Sequence, residues 1–290
     1  MLLKQVKQAD LLPIAASGTP TKDIAPLYNQ HALLLNCEAS GGGALTQAQL
    51  ENDIASVTIT LKQRAGGVIR LIDALTPAEI LDLLSDYYDA GKASYTNAGV
   101  LRIPFTRPHL FADIRALSIG MADIEQYNLK VVLTSGLSTL STCEIIAEYD
   151  TQPIRPLGQH IRIEPHSRPN VSTGEEHVDD LPFGEPGTAM LGYHIELGST
   201  PGVISYVKSK INGQDIYDPL KAATNNLNLQ KAGRTPNGDY FHVPFDLKGV
   251  PLAVGEAKSF IQKINWTTAP GSTYKVVPEV IHGMGADNAI

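Results

Sequence analysis

The sequence predicts an all-β fold of two tandem eight-stranded jelly rolls (a double jelly roll), each with one helix in a connection, and three observations carry that prediction. Short apolar runs separated by glycine- and proline-containing turns recur along the chain. Helical patterning is confined to one segment in each half. The order of strands, turns and helix in the first half returns in the second.

At 290 residues and 31.2 kDa the chain can bury two cores of ordinary domain size. The expected divisions are an N-terminal arm over 1–30, a first jelly roll over 31–157 and a second over 158–290. From Leu2 to Tyr28 the sequence mixes Pro13, Gly18, Pro20 and Pro26 with short apolar pieces and reads as an irregular arm. Strands follow at His31–Glu38, Ser56–Gln63, Val68–Ile72, Val100–Phe105, Leu129–Leu133 and Cys143–Tyr149. Val57, Ile59 and Leu61 alternate with Thr58, Thr60 and Lys62, the period of two that buries one face of a sheet. The first helix opens at Thr76 as N-cap, with Pro77 at its first position and Glu79 completing a capping box. Ile80, Leu83, Leu84 and Tyr87 form its apolar stripe, and Gly91 is its stop.

The stretch from Thr151 to Gly158 holds two prolines and a glycine and reads as a linker. Beyond it, strands are expected at His160–Glu164, Met190–Leu197, Val203–Ile211, Tyr240–Phe245, Ser259–Thr267 and Tyr274–Val280. The second helix is expected to start at Asp218 and Pro219, run through Leu220, Ala223 and Leu227, and end near Gly233. The halves also share a signature, Ile103-Pro104-Phe105 in one and Val243-Pro244-Phe245 in the other, each shortly after an Asn- and Gly-containing turn. One helix per half, instead of one after every strand, favours a sandwich or jelly roll over a parallel α/β fold.

The formal net charge is -7 and no run of Lys or Arg marks a phosphate-neutralising surface, so direct nucleic-acid binding is not expected. Met1 to Ile14 lacks the apolar core and cleavage site of a secretory signal. No apolar stretch approaches the length of a membrane helix, and a soluble protein made in a cytoplasm is expected. Cys37 and Cys143 each sit in an apolar strand-like run, where a reduced thiol acts as a small hydrophobe.

Motifs for nucleophilic, zinc-hydrolytic, P-loop and dinucleotide chemistry are absent. Gly41-Gly42-Gly43 has no following Lys-Ser or Lys-Thr and reads as a flexible turn. One polar cluster stands out: Glu175, Glu176, Asp179 and Asp180, around His177 and with Glu164 and His166 upstream. Such carboxylates could supply oxygen ligands to a structural calcium ion, and His with carboxylates could suit zinc, although the EF-hand pattern is missing and a solvated acidic loop is the plainer reading. Adjacent acids along one loop do not meet a glycosidase's need for two facing carboxylates. The histidines, among them His31, His109, His160, His194, His242 and His282, show no ligand spacing. Trp266, the single tryptophan, reads as core, whereas a glycan-binding sandwich presents several exposed aromatics.

The segment from Val100 to Leu133 resembles the PM2-type (corticovirus-type) viral coat proteins. It carries Pro104-Phe105-Thr106-Arg107-Pro108, then Ala116-Leu117 and, after a departure at Ser118-Ile119-Gly120-Met121, Ala122-Asp123. Leu45–Gln63, Ile211–Asp218 and Tyr240–Gly249 are similar to the same family, and the likeness covers most of residues 31 to 280. What the resemblance implies is a bacteriophage major capsid protein without enzymatic activity, a homotrimer presenting six sandwiches as a pseudo-hexagon. Such trimers tile an icosahedral shell around an internal membrane, with neighbouring capsomers and minor capsid or membrane proteins beneath as partners. The location implied is the virion, after synthesis in the host cytoplasm. The same resemblance implies calcium, for which the acidic cluster is the candidate. The competing readings are a jelly-roll carbohydrate-active enzyme and a glycan-binding spike module.

Overall fold

The computed structural model describes residues 4–88, 99–107, 118–169, 172–198, 200–271 and 273–283. The chain divides into two compact units, Met1–Ile161 and Arg162–Ile290, a few residues beyond the expected linker.

The N-terminal unit contains eight strands: β1 (Lys4–Asp10), β2 (Thr21–Ile24), β3 (Asn29–Ala39), β4 (Ile54–Gln63), β5 (Val68–Leu75), β6 (Val100–Pro104), β7 (Ile124–Leu133) and β8 (Leu140–Asp150). They form two antiparallel sheets, ordered β1-β8-β3-β6 and β5-β4-β7-β2. Alternate residues point inward, as the sequence predicts: Val57, Ile59 and Leu61 on β4 and Leu33 and Leu35 on β3 are fully buried. Each such side chain contributes roughly 1.5–3 kcal/mol relative to exposure.

Residues 4–24, expected within an arm, instead supply β1, paired with β8, and β2, paired with β7. Both are end strands of their sheets and are largely exposed. An exposed edge selects polar residues such as Lys4, Lys7 and Asp10, which erases the apolar alternation that marks a strand.

A helix not predicted, α1 (Gln47–Asp53), lies between β3 and β4 and opens on a Thr46/Gln49 capping box. The predicted helix begins as expected: Thr76 accepts from the Glu79 amide while the Glu79 carboxylate accepts from the Thr76 amide. This α2 (Pro77–Glu79) continues as a π-helical segment, Ile80–Ser85, with Ile80, Leu83, Leu84 and Tyr87 buried. Its predicted stop at Gly91 lies outside the described residues, as do Pro108, Ala116, Leu117 and His109.

The C-terminal unit repeats the plan with β9 (His160–Ile163, crossing the boundary), β10 (His166–Arg168), β11 (Gly174–Val178), β12 (Ala189–Glu196), β13 (Val203–Ile211) and β14 (Gln214–Lys221). After these come α3 (Ala222–Lys231), β15 (Tyr240–Pro244), β16 (Leu252–Ala253), β17 (Phe260–Thr268) and β18 (Tyr274–His282). One sheet runs β11-β17-β13-β14; in the other β10 pairs with β18, β18 with β12, and β12 with β15, with β16 also on β12. With β9 and β10 taken as the first strand and β16 set aside, both units have the same connectivity. Their strands are ordered first-eighth-third-sixth in one sheet and second-seventh-fourth-fifth in the other, the jelly-roll arrangement. In both, the helix the sequence predicts lies between the fifth and sixth strands.

The repeated Pro-Phe signature performs one task twice. In β6, Pro104 pairs with Ala32 and the Phe105 amide donates to the His31 carbonyl at 2.9 Å. In β15, Pro244 pairs with Gly192 and the Phe245 amide donates to the Leu191 carbonyl at 2.8 Å. Both prolines occupy end strands of their units' sheets, where a missing N–H costs no ladder bond.

The second helix starts later than predicted. Asp218 and Pro219 belong to β14, another end strand, and the N-cap position is Lys221, which makes no side-chain cap. The buried face of α3 is formed by Asn225 and Leu229, while Leu227 is 50% exposed. Gly233 does end it, at φ +72°.

Candidate functional site

The acidic segment is half strand: Glu175 and Glu176 lie in β11, and Asp179 and Asp180 follow its end. Glu175 and Glu176 are neighbours on β11, so their side chains leave opposite faces of the sheet. Glu176 turns inward, where its Oε2 accepts from Trp266 Nε1 at 3.0 Å and from the Tyr274 hydroxyl, and its Oε1 from Arg168 Nε at 3.2 Å. Burial, with the Glu176 carboxylate beside it, pushes the Tyr274 phenol above its ordinary range. Arg168 also pairs with Asp180 and donates to the His177 carbonyl at 3.0 Å.

Glu175 faces outward, accepting from the Tyr206 hydroxyl at 2.9 Å with Lys208 and Lys263 each 3.5 Å away. The Tyr206 hydrogen bond, joined by the two ammonium groups, holds its carboxyl below the usual range against the opposing effect of desolvation. Asp179 is exposed. Calcium takes roughly six to eight oxygen ligands around one point. Glu176 and Asp180 share Arg168, whereas Glu175 leaves the opposite face of β11 beside Lys208 and Lys263, so these carboxylates are not gathered around one point. Upstream, Glu164 pairs with Arg162 at 2.6 Å, and both line a groove of about 180 Å³ together with His166, Asp180, Glu185 and His282. Among the described residues no group of three or more His, Cys, Asp or Glu side chains is arranged to hold a metal ion.

Trp266 is 1% exposed and stands edge-on to Tyr274 at 5.2 Å between ring centres. It is core, as its sequence context predicts, and offers no face for a sugar ring. With Glu176 committed to the Trp266 and Tyr274 donors, the acidic segment presents no pair of free facing carboxylates.

The polar constellation that sequence reasoning missed lies across β12, β15 and β18. His194 and His242 are paired in register, and their Nδ1 atoms are 2.7 Å apart. His242 Nε2 accepts from the Asn237 amide at 3.1 Å, which places its proton on Nδ1, donating to His194 Nδ1. His194 Nε2–H then donates to Glu279 Oε1 at 3.1 Å. All three residues are at most 2% exposed. Burial first, and the neighbouring His194 second, push the His242 imidazole well below its ordinary pKa. Nearby, Arg234 and Asp246 form a buried ion pair at 2.8 Å. This chain ties three strands together and is closed to solvent, so it serves architecture, not turnover. Its only sequence signal is the register that sets LGYHIEL against YFHVPF.

Residues 161–284 match the family model for the viral coat protein P2 C-terminal domain. That match spans nearly all of the C-terminal unit. No curated protein matches the sequence. Across the whole chain the fold is shared with the major capsid protein P2 of bacteriophage PM2, at TM-score 0.77 and 16% identity, covering 99% of this chain and 100% of that one. The major capsid protein of Sulfolobus Turreted Icosahedral Virus aligns at TM-score 0.65 and 11% identity over 98% and 97% of the two chains. The PBCV-1 virus capsid aligns at 0.59 and 11% over 98% and 95%. At these identities the likeness is one of fold, and the fold is the double jelly roll that the sequence predicts. The family model and these solved structures are all described as viral coat or capsid proteins. The matched residues include β11 with its acidic pair and the whole His194–His242–Glu279 chain, so both lie within the stretch similar to the P2 C-terminal domain.

Proposed function

We propose that this chain is the major capsid protein of a tailless bacteriophage of the PM2 kind, acting as a homotrimer whose six sandwiches tile an icosahedral shell over an internal membrane. The observation that carries the proposal is the identical connectivity of the two units, down to the Phe105 and Phe245 amides that donate to corresponding carbonyls. A chain with two similar sandwiches gives a closed trimer six similar edges, which suits hexagonal tiling. The P2 domain match and the capsid-protein fold over the full length support the same reading. So does the commitment of Glu176 to internal partners. Neighbouring capsomers are the expected partners, with minor capsid or membrane proteins beneath the shell. No helix of the described residues is long and apolar enough to cross a membrane.

The test is the mass of the purified full-length chain by light scattering at several concentrations, paired with electron microscopy of particles from producing cells. Three times 31.2 kDa and shells of pseudo-hexagonal units are expected. A chain that stays monomeric at high concentration overturns the proposal.

A further inference from the structure

Cys37 on β3 and Cys143 on β8 are direct cross-strand partners whose Sγ atoms lie 3.4 Å apart as free thiols. Antiparallel partners come in two kinds, and the backbone bonds decide which kind this is. The Cys37 amide donates to the Gly99 carbonyl at 2.9 Å, and the Cys37 carbonyl accepts from the Leu45 amide at 3.4 Å, both on the side away from β8. The Cys143 carbonyl accepts from the Leu11 amide at 2.8 Å, away from β3. The two residues therefore exchange no backbone bond and form a non-hydrogen-bonded pair, the kind whose Cα atoms approach to about 4.5 Å. That separation falls within the roughly 4.4–6.8 Å range that a disulfide spans. Both side chains point into the N-terminal core, at 0% and 2% exposure, so no solvent-facing group competes for either sulfur.

We propose that Cys37 and Cys143 are an oxidation site that closes into a cross-strand disulfide in oxidising surroundings, fastening β3 to β8 inside the N-terminal jelly roll. A low-molecular-weight disulfide such as glutathione disulfide is the oxidant. One cysteine thiolate attacks it, forming a mixed disulfide and releasing one glutathione thiolate. The second thiolate attacks the protein sulfur of that intermediate, forming the Cys37–Cys143 bond and releasing the second glutathione. The protein loses two protons and two electrons, and the oxidant becomes two glutathione thiols. The neighbouring thiol and then burial hold the Cys37 pKa high, which makes the closed fold slow to react. Exchange therefore proceeds when the β3–β8 ladder opens or while it forms, and a chain made in a reducing cell stays reduced until it meets an oxidant.

The full-length chain is refolded in glutathione redox buffer, and in parallel held in that buffer in urea just below its unfolding midpoint. Intact mass and thiol titration after denaturation are the readouts. The expected product in either arm is a single chain two hydrogens lighter, with no free thiol and a higher thermal midpoint than the reduced chain. Cys37→Ser and Cys143→Ser each keep one thiol and lose the oxidation-dependent rise in midpoint. Two free thiols in both arms, sulfur-linked dimers, or glutathione retained on both cysteines overturns the proposal.

Discussion

Replacing Glu176 with Ala removes one acceptor from three donors, and the structure fixes what each loses. Trp266 Nε1–H and the Tyr274 hydroxyl both donate to Oε2, and both residues are 1% exposed, so neither donor gains water in exchange. An unsatisfied buried donor costs about 1–3 kcal/mol, which gives roughly 2–6 kcal/mol for the two. Arg168 retains Asp180 and the His177 carbonyl, and adds little. Glu176→Gln keeps the shape: its amide oxygen can accept from Trp266 and Tyr274 while its NH2 group faces Arg168, losing one charge-assisted bond, about 1.5–3 kcal/mol at most. Urea unfolding followed by tryptophan fluorescence reads this unit directly, because Trp266 is the single tryptophan of the chain and lies in the C-terminal jelly roll. Glu176→Ala is expected to lose several kcal/mol and Glu176→Gln clearly less. A loss below about 1 kcal/mol for Glu176→Ala, or equal losses for both variants, refutes the assignment of Glu176 as the acceptor that closes the core.

Acidification tests the buried histidines. His242 is kept neutral by the fold and gains a proton on unfolding, so the unfolded state binds more protons below an ordinary imidazole pKa of about 6.5 and stability falls as pH falls through that value. The midpoint of the Trp266 transition should drop between about pH 6.5 and 5, and His242→Gln should flatten the slope; an unchanged slope refutes the role of His242. Asp53, at the end of α1, accepts from the Ser138, Thr139 and Leu140 amides at 3.1, 2.9 and 2.7 Å. Burial opposes its ionisation, but those amides outweigh it and lower the carboxyl's pKa, so its stabilisation is complete above about pH 3.9 and fades as pH falls further. Circular dichroism of Asp53→Ala should show a loss of about 1–3 kcal/mol at neutral pH, chiefly from the orphaned Leu140 amide, since Ser138 is exposed and gains water in exchange. Gly99 sits at φ +69°, and a Cβ there would lie 2.7 Å from the Cys37 carbonyl oxygen. Gly99→Ala should cost about 1–3 kcal/mol through strain, read as a lowered thermal midpoint.

Where the sequence was readable, a buried face had imposed its period. Val57, Ile59 and Leu61 alternate because β4 lies between β5 and β7 and packs one side into the core. Thr76 and Glu79 were readable because a capping box is local chemistry, independent of what the helix later meets. The same signal, Thr46 with Gln49, stands ahead of α1, but the neighbouring Gly41-Gly42-Gly43 gives that stretch the composition of a turn. End strands fail for a shared reason. In β1, β11 and β14 one side of the ladder is unpaired within the unit's sheet, so charged residues and even Pro219 are tolerated and the pattern reads as arm, acidic loop or helix start. The Pro-Phe signature is legible although it lies in end strands, because its backbone task is the same in both units. Long-range meetings carry no local trace at all. His194 and His242 are 48 residues apart and come within hydrogen-bonding distance only through the β12–β15 register, just as Cys37 and Cys143 meet only through β3 and β8. A chain can thus announce what it is built from while concealing its internal clasps, since burial patterns act on every residue of a strand whereas a clasp depends on one pairing register.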